Sequence, residues 1–443
     1  MSEGNPEPSA AANPTAPPSR SRLAIQVAAA LAVGLIAALA AWWMLAPTPA
    51  LGPGLSLAES GRYAQAEPKL AAYLAYDPSN ARAGLAMANV LMNLEPPKVA
   101  EAIERLDAIR AANPSQAAHA LMIRGKAHRA LDQPGKAESE WREALRRDPM
   151  VAEAGMLLLE LYYTEGRNDE QHQLALRLHR SEPDPIDRVR LLLEAMRPDA
   201  EPLAAAGVIA LFRPVVKEHP DDLYPALAYY RALAKDGTGI DEALTGLRRL
   251  TEAHPDDLAC WDGLLYAMAP VDLDNLESTI AKLPPEIASS RKLARYRGQL
   301  AESKRDFAAA IAQYNLALTE APADREILHR LGEVLKLAGR ETESQAVKRR
   351  ETEVEAARVE LRGIKGREPQ EGRLGVFEEA TSLPNLGRTP AAPIYQKLAS
   401  IRERMGHPDE ALAWHKLALR DAPEDAESRA AVDRLEKALG DRP

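Results

Sequence analysis

The sequence is short of cysteine, of aromatic side chains and of basic charge. Cys260 is the only cysteine among 443 residues. No intrachain disulfide, cysteine-ligated zinc site or iron–sulfur cluster can form, and a lone cysteine in a helical stretch reads as a small core residue. Aromatics supply 5% of the chain, with three Phe. Sandwiches and barrels draw on aromatic and β-branched side chains. Here the 46% apolar share leans on Ala and Leu, which points to helices packed closely through small residues. The formal net charge is −9, and residues 1–46 sum to zero, so the acidity belongs to the rest. Nucleic-acid surfaces need a basic patch, so no nucleic-acid partner is expected. Motifs for catalysis are missing too: no G-x-x-x-x-G-K, G-x-S-x-G, H-E-x-x-H or C-x-x-C-H occurs. The expectation is a protein that is not an enzyme, with no cofactor, no metal and no small-molecule substrate.

One long apolar run is present. Residues 1–22 hold five prolines and almost no large apolar side chain, a composition expected to stay disordered. Then "LAIQVAAALAVGLIAALAAWWMLA", 23–46, runs 24 positions without a charge. At about 1.5 Å per residue such a helix covers the roughly 30 Å hydrocarbon core. Arg20 and Arg22 precede it, no basic residue follows until Arg62, and Trp42 and Trp43 sit at its far end. The positive-inside bias then places the N-terminus in the cytoplasm and everything after residue 46 outside. Pro47 and Pro49 stop the helix. The alternative is a signal peptide cleaved near "PTPA" at 47–50, which would release the remainder.

A second pattern is periodic. "HPDDL" occurs at 219–223 and again at 254–258. Prolines that close apparent helices recur at Pro78, Pro114, Pro149, Pro183, Pro220 and Pro255, spaced by 34 to 37 residues. Pro322 and Pro423 continue the series at about two and three further periods. Ahead of each proline small residues bracket a larger one: Ala137, Trp141 and Ala144; Ala310, Tyr314 and Ala317; Ala411, His415 and Ala418. Half a unit earlier stand a large and a small residue: Leu121 and Gly125, Leu331 and Gly332, Leu398 and Ala399. Small residues let neighbouring helices approach, and the aromatic fills the gap. Each two-helix unit has too little core to stand alone, so units must stack. The proline ends the second helix, and Ser79, Asp184, Asp221 or Asp222, and Asp256 or Asp257 can cap the next.

On these residues the chain resembles the tetratricopeptide repeat (TPR) family over about 55–350 and 392–425. The resemblance implies an all-α fold: a TPR α-solenoid of antiparallel helix pairs behind one N-terminal transmembrane helix. The expected organisation is a cytoplasmic tail (1–22), the transmembrane helix (23–46), the TPR array (47–360), a linker with one short helix around Leu374, Phe377 and Ala380 (361–391), and a C-terminal unit with its capping helix (392–443). The unit at 185–220 is loose and that at 258–290 is short. A long charged helix is expected at 342–362, and Val432, Leu435 and Leu439 mark the buried face of the capping helix.

"AHPDDL", 253–258, also resembles the "AHPDDE" motif of zinc-dependent N-acetylglucosaminyl deacetylases. That family's motif ends in Glu, follows a strand and needs a distant H-x-x-H. Here the last residue is Leu258, a helix precedes, and no H-x-x-H exists. A helix stop followed by an N-cap is the favoured reading, and a zinc hydrolase using His254 the alternative. His172 and His179, seven apart, are too widely spaced for one metal and read as solvated.

The TPR resemblance further implies a groove lined by the first helix of each pair. Its candidate lining is His119, Met122, Lys126 and Arg129; Met156, Glu160 and Tyr163; and Lys292, Arg295 and Gln299. Lys126 with Arg129 could clamp a carboxylate terminus, although the asparagines that accompany such clamps are missing. The expected partners are proteins or peptides. The function implied is a scaffold anchored in a bacterial inner membrane, with its repeats periplasmic, similar to TPR proteins that assist envelope assembly, secretion or cytochrome maturation. The subgroup carrying a rubredoxin-like metal domain is excluded by the missing cysteine pairs.

Overall fold

The computed structural model describes residues 31–35, 49–109, 113–182, 185–365 and 392–440. Residues 31–35, inside the apolar run, are helical; the rest of the expected transmembrane helix, the N-terminal tail and residues 366–391 of the linker lie outside the described residues. Among the described residues no helix is long and apolar enough to cross a membrane, and no strand occurs.

Helices follow one another in antiparallel pairs. They are α1 (Leu51–Glu59) with α2 (Tyr63–Tyr76), α3 (Ala81–Met92) with α4 (Val99–Asp107), α5 (Pro114–Ala130) with α6 (Pro134–Arg147), and α7 (Ala152–Thr164) with α8 (Asn168–Ser181). The loose unit is α9 (Pro185–Ala195), the single turn α10 (Arg197–Ala200) and α11 (Ala205–Glu218). Then come α12 (Leu223–Asp236) with α13 (Ile240–Ala253), and the short unit α14 (Leu258–Met268), α15 (Leu273–Ala281) and α16 (Pro285–Ala288). A 3-10 turn at Arg291–Leu293 leads into α17 (Ala294–Ser303) with α18 (Phe307–Glu320), followed by α19 (Arg325–Leu337) with the long α20 (Glu341–Lys365). The last unit is α21 (Ala392–Arg404) with α22 (Pro408–Asp421), closed by α23 (Ala426–Gly440).

The punctuation has a backbone cause. The residue before a proline is pushed out of the helical region by the pyrrolidine ring. Asp77, Asp148, His219, His254, Ala321 and Ala422 are all C-caps with φ between −126 and −143 and ψ between 65 and 99. Pro114 differs from expectation. It does not end a helix but opens α5 at its first position, behind the Asn113 cap whose side chain accepts from the Gln116 N–H at 2.9 Å, a place where the missing proline N–H costs nothing.

"AHPDDL" is a helix stop and a cap. α13 ends at Ala253, and the Asp257 carboxylate accepts from the Ala259 and Cys260 N–H groups at 2.8 and 3.2 Å. Its twin behaves otherwise. Asp222 opens α12 without capping it, and its carboxylate instead accepts from the Gly135 N–H at 3.1 Å, in the first turn of α6. The cap before α3 is Asn80 and not Ser79.

The bracketing residues form the core. Trp141 is 2% exposed and Tyr314 0%, with Ala137, Ala144 and Ala310 fully buried. A Cβ at Gly125 would fall 2.3 Å from Trp141 Nε1, and one at Gly298 2.6 Å from the Tyr314 ring, so these places on α5 and α17 require glycine. Val432 and Leu435 of α23 are buried, as a capping helix requires.

The chain also returns on itself. Val189, Leu192 and Met196 of α9 and its C-terminal turn share a core with Val354, Ala357 and Leu361 of α20 and with Tyr395, Leu398 and Trp414 of the last unit. His172 on α8 meets Glu410 on α22 at 3.0 Å, and His179 lies edge-on to Tyr395 with ring centroids 6.2 Å apart. The two histidines are therefore not solvated, as the sequence suggested; they are packed by the unit at 392–421.

Candidate functional site

Where α7 turns into α8, the chain reaches across to α12. Arg167, in that turn, stacks on Tyr162 and on Tyr224 of α12, with its guanidinium 4.3 and 3.6 Å from the two ring centroids. Three carboxylates share it: Glu138 at 2.8 Å, Glu165 at 2.9 Å and Glu170 at 2.7 Å. Asp222 lies nearby, and Asp169 pairs with Lys292 ahead of α17. So α6, the α7–α8 turn, α12 and the start of α17 are joined by polar contacts that bridge distant units.

Even with Arg142, which pairs with Glu138 and Glu170, the cluster has more negative than positive charge, and Glu138, Glu165 and Arg167 are buried within it. Glu165, with a side chain 1% exposed, responds: burial pushes its carboxyl up to about 8 against the pull of Arg167, with Glu138 and Asp222 adding repulsion. Protonating the most buried acid is the cheapest way to balance the cluster. The sign follows from linkage. Near pH 4.3 the unfolded chain releases this proton, whereas the folded chain holds it until about pH 8. Stability from this group is therefore highest at low pH and is lost as pH rises through that window. Replacing Glu165 by Gln should flatten the fall: melting temperatures measured from pH 4 to 9 should lie close to wild type at pH 4 and exceed it at pH 8. A variant that falls as steeply as wild type would refute the assignment.

Beside the cluster a pocket of about 290 Å³ opens between the α7–α8 turn, the segment after α10, and the first helices α12, α14 and α17. Its lining includes Tyr163, Glu165 and Asn168 from the α7–α8 region, the apolar Leu203 and Val208, and Arg231, Lys235, Tyr266 and Arg295 from the later first helices. Arg231 and Arg295 both hold Asp262, at 3.0 Å each. Burial opposes charge on Asp262, yet these two guanidiniums keep its pKa below the ordinary carboxylate value. Arg295 reaches Asp324 as well, at 3.6 Å.

The structure distributes the ten candidate groove residues unevenly. Tyr163 and Arg295 come together at this pocket. Tyr163 is 5% exposed, its hydroxyl donates to the Glu201 carbonyl, and the Arg197 guanidinium lies 3.8 Å from its ring centroid. Glu160 pairs with Arg197. Met122, 4% exposed, belongs to the core around Trp141 and lines no open surface; its carbonyl accepts from the Trp141 indole at 3.1 Å. Lys126 pairs with Glu153 at 3.1 Å and reaches Asn89 at 3.5 Å, while Arg129 is half-buried beside it on α5. His119 is exposed and hydrogen-bonds the Ser115 carbonyl. Met156 lines a separate small crevice with Met150 and Leu191. Lys292 is committed to Asp169, and Gln299 is half-buried on α17. Sequence reasoning missed Lys235, Arg231 and Tyr266, although all three sit on first helices at positions the period could have indicated. Arg167 and Glu165 gave no such signal, because a turn that spans to another unit leaves no trace in the period. Among the described residues no group of three or more His, Cys, Asp or Glu side chains is placed to hold a metal ion.

Residues 57–125 match the family model described as tetratricopeptide repeat. No curated protein matches the chain. Among solved structures, the anaphase-promoting complex hetero-tetramer Cut9–Hcn1 is 14% identical with a TM-score of 0.30, covering 87% of this chain and 84% of that one. A tetratricopeptide repeat protein from Parabacteroides merdae is 11% identical with a TM-score of 0.28, covering 72% and 99%. The C-terminal part of a TPR repeat-containing protein from Cytophaga hutchinsonii is 16% identical with a TM-score of 0.28, covering 64% and 99%. TM-scores this low say nothing of function. The matched segment runs from the end of α1 into α5, and the same helix pair, with small residues around a large one and an extended residue before the closing proline, recurs as far as α22; the fold is a tetratricopeptide-repeat-like α-solenoid.

Proposed function

We propose that the protein is a scaffold that binds protein or peptide partners and is held at a bacterial inner membrane by residues 23–46, with its repeats on the outer, periplasmic face, where it would serve assembly of envelope complexes. The observation that carries protein binding is the pocket framed by the first helices α12, α14 and α17, backed by a fold whose stacked units expose long helix faces. The anchor rests on the sequence: 24 uncharged residues behind Arg20 and Arg22, and no basic residue before Arg62.

Two measurements test the halves separately. Crosslinking in intact membranes followed by affinity capture should recover a specific protein partner; recovery of nothing above background argues against the scaffold. Fractionation should leave the full chain with membranes after a carbonate wash, and protease added outside spheroplasts should cut the repeats. A chain released by the wash, or a mature N-terminus near Leu51, would replace the anchor with a cleaved signal.

A further inference from the structure

We propose that the pocket between the α7–α8 turn and α12, α14 and α17 takes a single Asp or Glu side chain, flanked by a bulky apolar residue, from an extended segment of a protein partner. This rests on the protein-binding reading above and names the chemistry of the partner.

Charge accounting carries the choice of a carboxylate. Arg231 and Arg295 are compensated by Asp262 and Asp324. Glu165 holds its proton to about pH 8, so it adds little negative charge at neutral pH. Lys235, exposed at the end of α12, has no partner among the described residues. The Tyr266 hydroxyl has no hydrogen bond to another described residue, and burial, with Glu326 nearby, pushes its phenol up so that it remains a donor. An uncompensated ammonium and a free phenol thus face one space, and an acceptor with negative charge satisfies both.

Size and apolar lining carry the rest. A volume of about 290 Å³ is at the small end of ligand pockets, room for one or two side chains. Leu203, Val208 and Ala228 supply apolar lining, which a bulky apolar neighbour would cover. A polyanion is disfavoured, because Lys235 is the one unpaired cation among the described residues lining this pocket and the chain's net charge is −9. The occupant is an isolated acid in an apolar context. Unlike a clamp within one repeat, the pocket needs both the α7–α8 turn and the later units.

The test uses the full chain and fluorescein-labelled nonapeptides, acetylated and amidated so that no terminal carboxylate is present. One carries a single Glu between two Leu in a Gly/Ser background, the second has Gln for the Glu, and the third has Gly for both Leu. Anisotropy titration should show saturable binding of the first and at least about ten-fold weaker binding of the others. Lys235→Glu should weaken the first peptide by about ten-fold or more, and Tyr266→Phe by a smaller factor. Lys69→Glu, at an exposed position on α2 outside the pocket lining, should leave it unchanged. Circular dichroism checks that each variant is folded. No saturable binding, equal binding of the Gln peptide, or indifference to Lys235→Glu would overturn the proposal. Crosslinked partners captured equally by wild type and Lys235→Glu would leave the scaffold reading standing and remove this site from it.

Discussion

Trp141→Ala should cost about 3–5 kcal/mol, the range for emptying a fully packed large aromatic site. The indole is 2% exposed, lies against Gly125, and donates to the Met122 carbonyl at 3.1 Å. Its loss opens a hole between α5 and α6 in the core that also holds Leu158, Leu159 and Tyr162 of α7. Gly125→Ala attacks the same contact from the other side. Its methyl would arrive 2.3 Å from the indole nitrogen, so overpacking should cost about 1–3 kcal/mol. The two changes should not add. With Trp141 gone, the alanine methyl enters empty space and gains about 1 kcal/mol of helix propensity over glycine. Gly125→Ala should therefore change sign, from destabilising in wild type to neutral or stabilising in the Trp141→Ala background. Urea unfolding of the four proteins measures the cycle. Additive losses would show that Gly125 is not reserved for the indole.

That contact is also the kind of feature a sequence displays well. Trp141, Gly125 and the closing prolines act within one repeat, so their effects recur at the period and can be read along the chain. Pre-proline residues are restricted locally, and alanine and glycine at fixed places declare where helices meet. The same locality explains the misreadings. Asp222 and Asp257 occupy equivalent places in identical pentapeptides, yet one caps its own helix and the other caps α6. Nothing in five residues encodes that α6 passes nearby. His172 and His179 looked solvated because their neighbours, Glu410 and Tyr395, stand more than two hundred residues away. The pocket was half legible for a related reason. Tyr163 and Arg295 lie on first helices, where the repeat resemblance places candidate lining, but a pocket formed where one unit's turn meets the helices of later units is a property of how the array coils. Small offsets at each interface, the loose unit at α9–α11 among them, set that coil, and they leave no motif.

Removing Arg402 should detach the end of the chain that closes this coil. Its side chain is 5% exposed. It grips Glu410 with two hydrogen bonds of 2.9 Å and reaches Asp199, at the end of α10, at 3.1 Å. Glu410 in turn accepts from His172, whose other ring nitrogen faces the Ala195 carbonyl at 3.0 Å. Both ring nitrogens face acceptors, an arrangement that favours the doubly protonated imidazole. Burial opposes that charge, yet Glu410 raises the His172 pKa overall, while its own carboxyl, despite burial, is held down to about 2 by His172 and Arg402. Arg402→Met leaves the apolar stem but takes the partner from Asp199 and leaves Glu410 only His172, and breaking a buried pair in this way costs about 3 kcal/mol. Because each unit contacts mainly its neighbours, the loss should be local: hydrogen exchange should speed up in α21–α23 and in α9–α10, while α1–α4 stay protected. Removing both partners should cost less than the sum, since Arg402→Met with Glu410→Met leaves without a partner only Asp199, which is partly exposed, and His172, which can release its second proton. pH supplies a separate signature. A histidine whose folded pKa is raised contributes stability that is complete below about pH 6.5 and is lost as pH rises through the folded value. Glu410→Gln should erase that component of the fall while leaving the component from Glu165, which Glu165→Gln removes in its turn. Uniformly faster exchange across all helices, or an Arg402→Met protein as stable as wild type, would mean that the terminal unit is held by its apolar core alone.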